Sequence, residues 1–156
     1  KYKNYTKCSY INDARIHINL RIMAKVSSTL SISSTDVLSS NLSLIVNSSI
    51  DADSGNLSRA KVLKTAVHND ALVVYKSNDK LEAAYLYVKN MDAEKNKYIY
   101  LYQDTDNDDV FAKIGGGEFA FLPVAIDKTI KVYATRIDTM VEYAVFGLDS
   151  SAVTLS

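Results

Sequence analysis

Apolar and polar residues alternate along most of the second half of the chain, in short runs separated by turn-forming residues. The runs are AAYLYVKN at residues 83–90, KYIYLYQ at 97–103, EFAFLPVAI at 118–126, TIKVYATR at 129–136 and MVEYAVFGL at 140–148. Alternation with a period of two is the pattern of a strand with one buried face. Strands that recur about every eight to twelve residues are typical of all-β sandwiches and barrels. We therefore predict an all-β fold, an antiparallel β-sandwich of the jelly-roll type.

A weaker alternation is present near the start of the chain. Residues 15–22, RIHINLRI, place Ile16, Ile18 and Leu20 on one face of a predicted strand. This strand either pairs within its own sandwich or is donated to a neighbouring subunit, where the three residues would contribute to an interface. Because MAKVSSTLSIS begins at Met23, residues 1–22 are either an N-terminal arm or an over-extended start. Residues 23–156 are predicted to form one β-sandwich domain.

The segment between the two halves fits two interpretations. Apolar residues recur at helical spacing between residues 57 and 67, after the potential capping residues Ser54 and Asn56. At most one short helix is therefore predicted there. Two short strands interrupted by HND, residues 68–70, explain the pattern about as well.

Two connections between the later strands can be interpreted from their residue types. The polar segment MDAEKNK, residues 91–97, suggests the loop of a β-hairpin. Residues 114–123, IGGGEFAFLP, contain three consecutive glycines and the only proline. A phosphate-binding loop must be followed by a helix, but here a strand-like run follows. We interpret Gly115, Gly116 and Gly117 as a tight turn between antiparallel strands, with at least one positive φ, and assign Pro123 to the same structural turn.

Composition argues against several classes of partner. Eighteen basic residues balance eighteen acidic ones and form no basic block, so nucleic acid is not an expected partner. Cys8 is the only cysteine, which rules out an intrachain disulfide framework. No apolar run approaches the roughly 18 residues that span a bilayer. We expect no membrane, no cofactor and no small-molecule substrate.

Candidate sites of chemistry are weak. Residues 104–109, DTDNDD, have the carboxylate spacing of a calcium loop, but Asp109 stands where such a loop needs glycine and Gly115 where it needs glutamate. A solvated hairpin tip is favoured, with a weak calcium site as the alternative. His17 and His68 are the only histidines, and the G-x-S-x-G motif of a nucleophile elbow is absent. We predict no catalytic residues and no enzymatic activity.

The tyrosines of two neighbouring predicted strands form the main candidate surface: Tyr85, Tyr87, Tyr98, Tyr100 and Tyr102. Rings exposed around a concave patch would stack on sugars, whereas rings packed across strands would form cross-strand pairs and a protein interface. We favour the interface. A carbohydrate-binding or adhesin-like module that uses exposed tyrosines is the alternative.

The order of features in residues 81–148 resembles small β-sandwich virion proteins of tailed bacteriophages, of the head decoration or cement type. Those proteins show a strand ending in Lys-Asn, a G-E-F-x-F-x-P turn and a closing V-E-Y strand. The corresponding residues here are Lys89 and Asn90; Gly117, Glu118, Phe119, Phe121 and Pro123; and Val141, Glu142 and Tyr143.

The resemblance covers about half of the chain and implies a non-enzymatic structural protein on the capsid surface of a virion, made in the host cytoplasm. Its implied partners are the major capsid protein and other copies of itself, with a trimer as one expected oligomer. Residues 1–60 do not contribute to the resemblance. It carries over no catalytic residues, because such proteins have none.

Overall fold

The computed structural model describes residues 24–35, 41–62, 71–104, 110–134 and 138–149. Within these ranges the chain forms ten strands and no helix. The strands are β1 (Ala24–Ser34), β2 (Leu42–Ala52), β3 (Ser54–Val62), β4 (Leu72–Tyr75), β5 (Leu81–Asn90), β6 (Ile99–Gln103), β7 (Val110–Ile114), β8 (Phe119–Val124), β9 (Ile130–Ala134) and β10 (Thr139–Asp149).

Strands β3 to β10 form two four-stranded antiparallel sheets with a jelly-roll order. The first sheet has the order β3-β10-β5-β8 and the second has the order β4-β9-β6-β7. Among the described strands of these two sheets, only β6 and β7 are both consecutive in the chain and paired with each other. The other strands alternate between the sheets, which is the arrangement of a jelly roll. The all-β sandwich predicted from the sequence is confirmed.

The hydrophobic core lies between the two sheets and uses the inward positions of the alternating runs. The first sheet contributes Leu86, Val88 and Val141, and the second contributes Ile99, Leu101 and Val132, all of them fully buried. These residues alternate with the outward-facing tyrosines of β5 and β6, because successive side chains of a strand point to opposite faces.

Strands β1 and β2 form a separate two-stranded sheet, which we call the hairpin. The two strands pair over eleven residue pairs, from Ala24↔Ala52 to Ser34↔Leu42. The hairpin joins the first sheet at Asp53, whose backbone N–H donates to the Gly147 carbonyl at 3.0 Å. The Asp53 carboxylate in turn accepts the Asp149 backbone N–H at 3.3 Å. These bonds fix the base of the hairpin to the end of β10.

One prediction about a connection is wrong. Residues 91–97 do not form a hairpin loop, because β5 belongs to the first sheet and β6 to the second. The alternatives left open for residues 57–67 are decided over residues 57–62, which belong to strand β3; this strand pairs with β10 from Val62↔Thr139 to Ser54↔Gly147. Spacing fitted a helix and strands about equally there, and pairing with the central strand β10 selects the strand. Residues 63–70 lie outside the described ranges.

Candidate functional site

The outward positions of β5 and β8 carry a set of aromatic rings that we call the outer aromatic face: Tyr85, Tyr87, Phe119 and Phe121. Tyr85 stacks on Phe121 with 6.0 Å between ring centroids, and Tyr87 lies 6.3 Å from Phe119. Both contacts are diagonal, because Tyr85 pairs with Pro123 and Tyr87 with Phe121 in the ladder. Long aromatic side chains reach diagonal neighbours on one face of a sheet. Phe119 is 60% exposed.

The other half of the same sheet face, on β3 and β10, carries ion pairs. Arg59 donates through Nε to Glu142 Oε2 at 2.7 Å, and Lys61 Nζ lies 2.6 Å from Asp138. Tyr87 donates its hydroxyl to Glu142 Oε1 at 3.4 Å, so Glu142 links the two halves. The face of the first sheet therefore has paired aromatic rings over β5 and β8, whereas over β3 and β10 it has ion pairs together with the exposed apolar side chains Leu57 and Met140.

The contacts of Glu142 change the protonation of two groups. Hydrogen bonding to Arg59 holds the pKa of Glu142 below its ordinary value of 4.5. Burial raises the pKa of Tyr87 above 10.0, and the nearby Glu142 carboxylate raises it further. At neutral pH Glu142 is ionised and Tyr87 is a neutral hydrogen-bond donor.

The outer face of the second sheet is rich in tyrosine and lysine. Tyr100 stacks on Tyr133 with 5.2 Å between centroids, and Lys113 Nζ lies 3.8 Å from the centroid of the Tyr98 ring. A lysine ammonium over a tyrosine ring makes a cation–π contact. The three tyrosines are half-buried, the Tyr100 and Tyr133 rings contact each other, and the Tyr98 ring contacts Lys113.

The hairpin has one apolar face and one polar face. The side chains at even positions of β1 and β2 share a face, on which nine of twelve are apolar: Ala24, Val26, Leu30, Ile32, Leu42, Leu44, Val46, Ile50 and Ala52. We call this surface the hairpin apolar face. The opposite face is polar except for Ile45. On the apolar face Leu30 is 47% exposed and Leu44 43% exposed.

The hairpin apolar face is continuous with the face of the first sheet. Ala24, Val26 and Ala52 line a shallow cleft of about 240 Å³ together with Gly55 and Phe146. Phe146 is an outward residue of β10, because it pairs with Tyr85. It also lies edge-on to Phe121, with 6.4 Å between centroids. Apolar surface thus runs from the hairpin, through Phe146, to the outer aromatic face.

The glycine segment forms an inter-sheet turn that is built on a buried asparagine. Gly117 has a φ of +80°, and its N–H donates to the Asn90 carbonyl at 3.0 Å. Asn90 is fully buried, and its Nδ2 donates to the carbonyls of Lys97 at 2.8 Å and Ile114 at 3.2 Å. Gly115 donates to the Glu118 carboxylate at 2.7 Å. The flanking strands β7 and β8 belong to different sheets and do not pair with each other.

Two residues predicted for the site have other positions. Pro123 lies within β8 and is not part of the turn. It is tolerated there because β8 is an edge strand among the described strands, where a missing N–H costs no ladder bond. Tyr102 is fully buried, with its ring packed edge-on against Tyr133 at 5.7 Å, and presents no surface to a partner.

The remaining predicted residues are divided among three places. Tyr85 and Tyr87 lie on the outer face of the first sheet, and Tyr98 and Tyr100 on that of the second. The fold therefore separates tyrosines that the sequence analysis grouped together. Ile16, Ile18 and Leu20 lie outside the described residues, and so do residues 105–109 of the candidate calcium loop.

The sequence analysis missed the hairpin apolar face, although its signal was present. Leu30 and Ile32 alternate with serines, as do Leu42 and Leu44. Each apolar run is short by itself. The two runs form one continuous surface only when β1 and β2 pair in register.

The part of the chain that the structure describes has neither a metal-binding cluster nor a membrane-spanning helix. No three His, Cys, Asp or Glu side chains there are grouped so that they could hold a metal ion. None of the described elements is a helix long and apolar enough to cross a membrane.

Comparison with known proteins does not assign a family. No family model matches the chain, and no curated protein matches it. Among solved structures, a subunit described under "Bacillus endospore appendages form a novel family of disulfide-linked pili" aligns with 62% of this chain and 88% of its own chain, at 16% identity and a TM-score of 0.38. At that TM-score the likeness carries no argument about this chain. The fold class of this chain, an eight-stranded jelly roll with an added hairpin, is assigned from its own strand order.

Proposed function

We propose that the chain is a non-enzymatic structural protein that works in many copies on the surface of a larger protein particle. One observation carries this proposal: the hairpin apolar face is exposed along β1 and β2. An isolated two-stranded hairpin is marginally stable in water, and contiguous exposed apolar surface marks interaction sites. In an assembly, neighbouring subunits cover such an apolar surface, and its burial stabilises the contact between them.

The more specific form of the proposal is a bacteriophage decoration or cement protein. The resemblance of residues 81–148 to small virion proteins supports it, and jelly rolls are frequent in viral capsids. Because one fold hosts many functions, the exposed surfaces and not the fold carry the argument. The proposed partners are the major capsid protein and further copies of this chain, and the proposed location is the capsid surface.

The experiment is to search for the chain in purified virus particles. Particles from the culture that produces the protein are isolated on a density gradient, labelled with antibody–gold and analysed by quantitative mass spectrometry. The expected result is gold on the heads and a copy number comparable with that of the capsid subunits. Particles that contain capsid and tail proteins but none of this chain would contradict the proposal.

A carbohydrate-binding module is the second candidate function, and the second sheet provides the observation for it. Tyr98, Tyr100 and Tyr133 are half-exposed on its outer face beside Lys113. Aromatic faces stack on sugars. Glycan-array binding that is lost in Tyr100→Ala would favour this function, with Tyr85→Ala on the first sheet as the matched control. We favour the structural role, because Tyr100 and Tyr133 stack on each other and the Lys113 ammonium lies over Tyr98, so one face of each ring is already occupied.

A further inference from the structure

The hairpin apolar face requires an apolar partner. Among the eleven residue pairs of β1 and β2, the only charged side chains are Lys25 and Asp51. They pair with each other on the polar face of the hairpin. The polar members of the apolar face are three serines: Ser28, Ser34 and Ser48. A charged or nucleic-acid partner would find no complementary group on this face. Its complement is another uncharged surface of aliphatic or aromatic side chains.

The outer aromatic face has the required chemistry and width. It occupies two adjacent strands, β5 and β8, and strands lie about 4.8 Å apart, so it matches a two-stranded hairpin. Its rings are uncharged, and the charged pairs Arg59–Glu142 and Lys61–Asp138 lie on the other half of the sheet. Lys89 is the one charged side chain at the outward positions of β5 and β8 that pair with each other, and it lies at the end of the face, between Phe119 and Glu142. Contacts between aromatic and β-branched side chains are favourable on sheet faces.

Contact area and coverage distinguish two ways of pairing copies. Eleven pairs at about 3.3 Å per residue make the hairpin about 36 Å long, and a width of about 10 Å gives about 350 Å² per face. Stacking one hairpin on another would bury that area alone, well below the roughly 800 Å² per partner of a stable interface, and would leave the outer aromatic face uncovered. Strands β5 and β8 pair over six residues, Ala84↔Val124 to Lys89↔Phe119, so a hairpin seated on them buries about 200 Å². If each copy both gives its hairpin and receives one, about 400 Å² per copy is buried and both surfaces are covered, which is a weak contact that many copies on one particle reinforce.

We propose that the hairpin apolar face of one copy packs on the outer aromatic face, Tyr85, Tyr87, Phe119 and Phe121, of a second copy of this chain. The inference deepens the proposed function, because it names the self-contact of a multi-copy structural protein. Both surfaces are covered by the same exchange. The bend at Asp53 and the apolar continuity through Phe146 bring the two surfaces of one copy side by side.

The test uses the full chain and two variants that change exposed residues. The hairpin variant is Leu30→Thr with Leu44→Thr, and its control is Ser31→Thr with Ser33→Thr on the polar face of the same hairpin. The face variant is Phe119→Thr. Threonine keeps a high strand propensity, and circular dichroism checks that each variant retains the fold. Sedimentation equilibrium then measures the self-association constant.

The exchange predicts that the unmodified chain and the polar-face control self-associate. The hairpin variant and the face variant should each associate at least about tenfold more weakly, as expected when a central interface residue is truncated. Mixing these two variants should give an association stronger than that of either variant alone and weaker than that of the unmodified chain, because one of the two reciprocal contacts then joins an intact hairpin to an intact aromatic face. Neither variant alone can form this contact.

Three results would overturn the inference. Loss of association in the hairpin variant but not in Phe119→Thr would indicate stacking of hairpin on hairpin. An unmodified chain that is monomeric until residues 1–22 are deleted would assign the face to the chain's own N-terminal segment. A monomer that is nevertheless found on purified particles would retain the proposed function and refute the self-contact, so that the two failures are distinguishable.

Discussion

At the scale of single residues, Asn90 holds together the loop regions at one end of the sandwich. Its side chain donates to Lys97 O and Ile114 O, and its Oδ1 accepts the Asp92 N–H at 3.1 Å. Its backbone N–H donates to Glu118 O, and its own carbonyl accepts from Gly117. One buried amide therefore connects β5, the loop that follows it, the end of β7 and the glycine turn.

Replacing Asn90 tests this role. Asn90→Ala leaves two carbonyls without their donor, and a buried unsatisfied polar group costs about 1–3 kcal/mol. We expect the free energy of unfolding to fall by about 2–4 kcal/mol in urea titrations. Asn90→Asp keeps the oxygen that accepts from Asp92 and loses both Nδ2 donors, so it should be no more stable than Asn90→Ala. A loss below about 0.5 kcal/mol, the range of ordinary surface substitutions, would show that the network has little energetic weight.

The glycine turn makes a second prediction, at Gly117. Its φ of +80° is costly for a residue with a Cβ, although a Cβ there would meet no atom within 4 Å. Gly117→Ala should therefore lower the free energy of unfolding by about 1–2 kcal/mol through the backbone alone. Gly117→Asn should cost less, because asparagine tolerates the left-handed region. Equal stability of the alanine variant and the unmodified protein would contradict the assigned backbone conformation.

At the scale of elements, the pairing of β3 with β10 carries an ion pair that gives stability a pH dependence. Arg59 holds the pKa of Glu142 below 4.5 in the folded chain. Because the folded pKa is the lower one, the stabilisation is complete above the ordinary pKa and is lost as the pH falls through the folded value. The melting temperature should therefore fall between pH 6 and pH 3, and part of that fall should disappear in Glu142→Gln.

The control for this titration is Glu82→Gln, which removes an exposed carboxylate from β5. The two variants lose the same charge, so only the local contacts of Glu142 distinguish them. If Glu142→Gln and Glu82→Gln showed the same fall in melting temperature with pH, the Arg59–Glu142 pair would have no role in acid stability.

Elements also show which features could be predicted from sequence. The Tyr-rich runs on β5 and β6 gave correct strands, because alternation between Leu86 and Tyr87 or between Leu101 and Tyr100 follows burial directly. The alternation of apolar and polar residues does not show which strands pair with each other. The segment MDAEKNK has the composition of a hairpin loop, yet it connects two different sheets. The composition of a loop reflects its exposure to solvent and does not show which sheet the next strand joins. The spacing of residues 57–62 fits a helix and a strand about equally, and pairing with β10 makes them a strand.

At the scale of the whole molecule, the eight strands of the jelly roll bury a continuous core, while two features remain outside it. The hairpin apolar face is exposed in the single chain, the outer aromatic face is half-buried except for the exposed Phe119, and the fold places the two faces next to each other. The sequence pattern predicts an interface on the aromatic strands but does not distinguish the outward Tyr85 from the buried Tyr102. Both tyrosines alternate with aliphatic residues along their strands, and only tertiary packing determines which of them is buried.

The most direct test of the account is amide hydrogen exchange, compared between the unmodified chain and the Leu30→Thr, Leu44→Thr variant. The substitutions lie in the hairpin, whereas β8 (Phe119–Val124) belongs to the first sheet and pairs with β5. If a second copy's hairpin covers the outer aromatic face, β8 amides should exchange more slowly in the unmodified chain than in the variant, at a protein concentration where the former is associated. Strand β9, an interior strand of the second sheet, should exchange equally in both. Identical exchange of β8 in the two proteins would contradict the account.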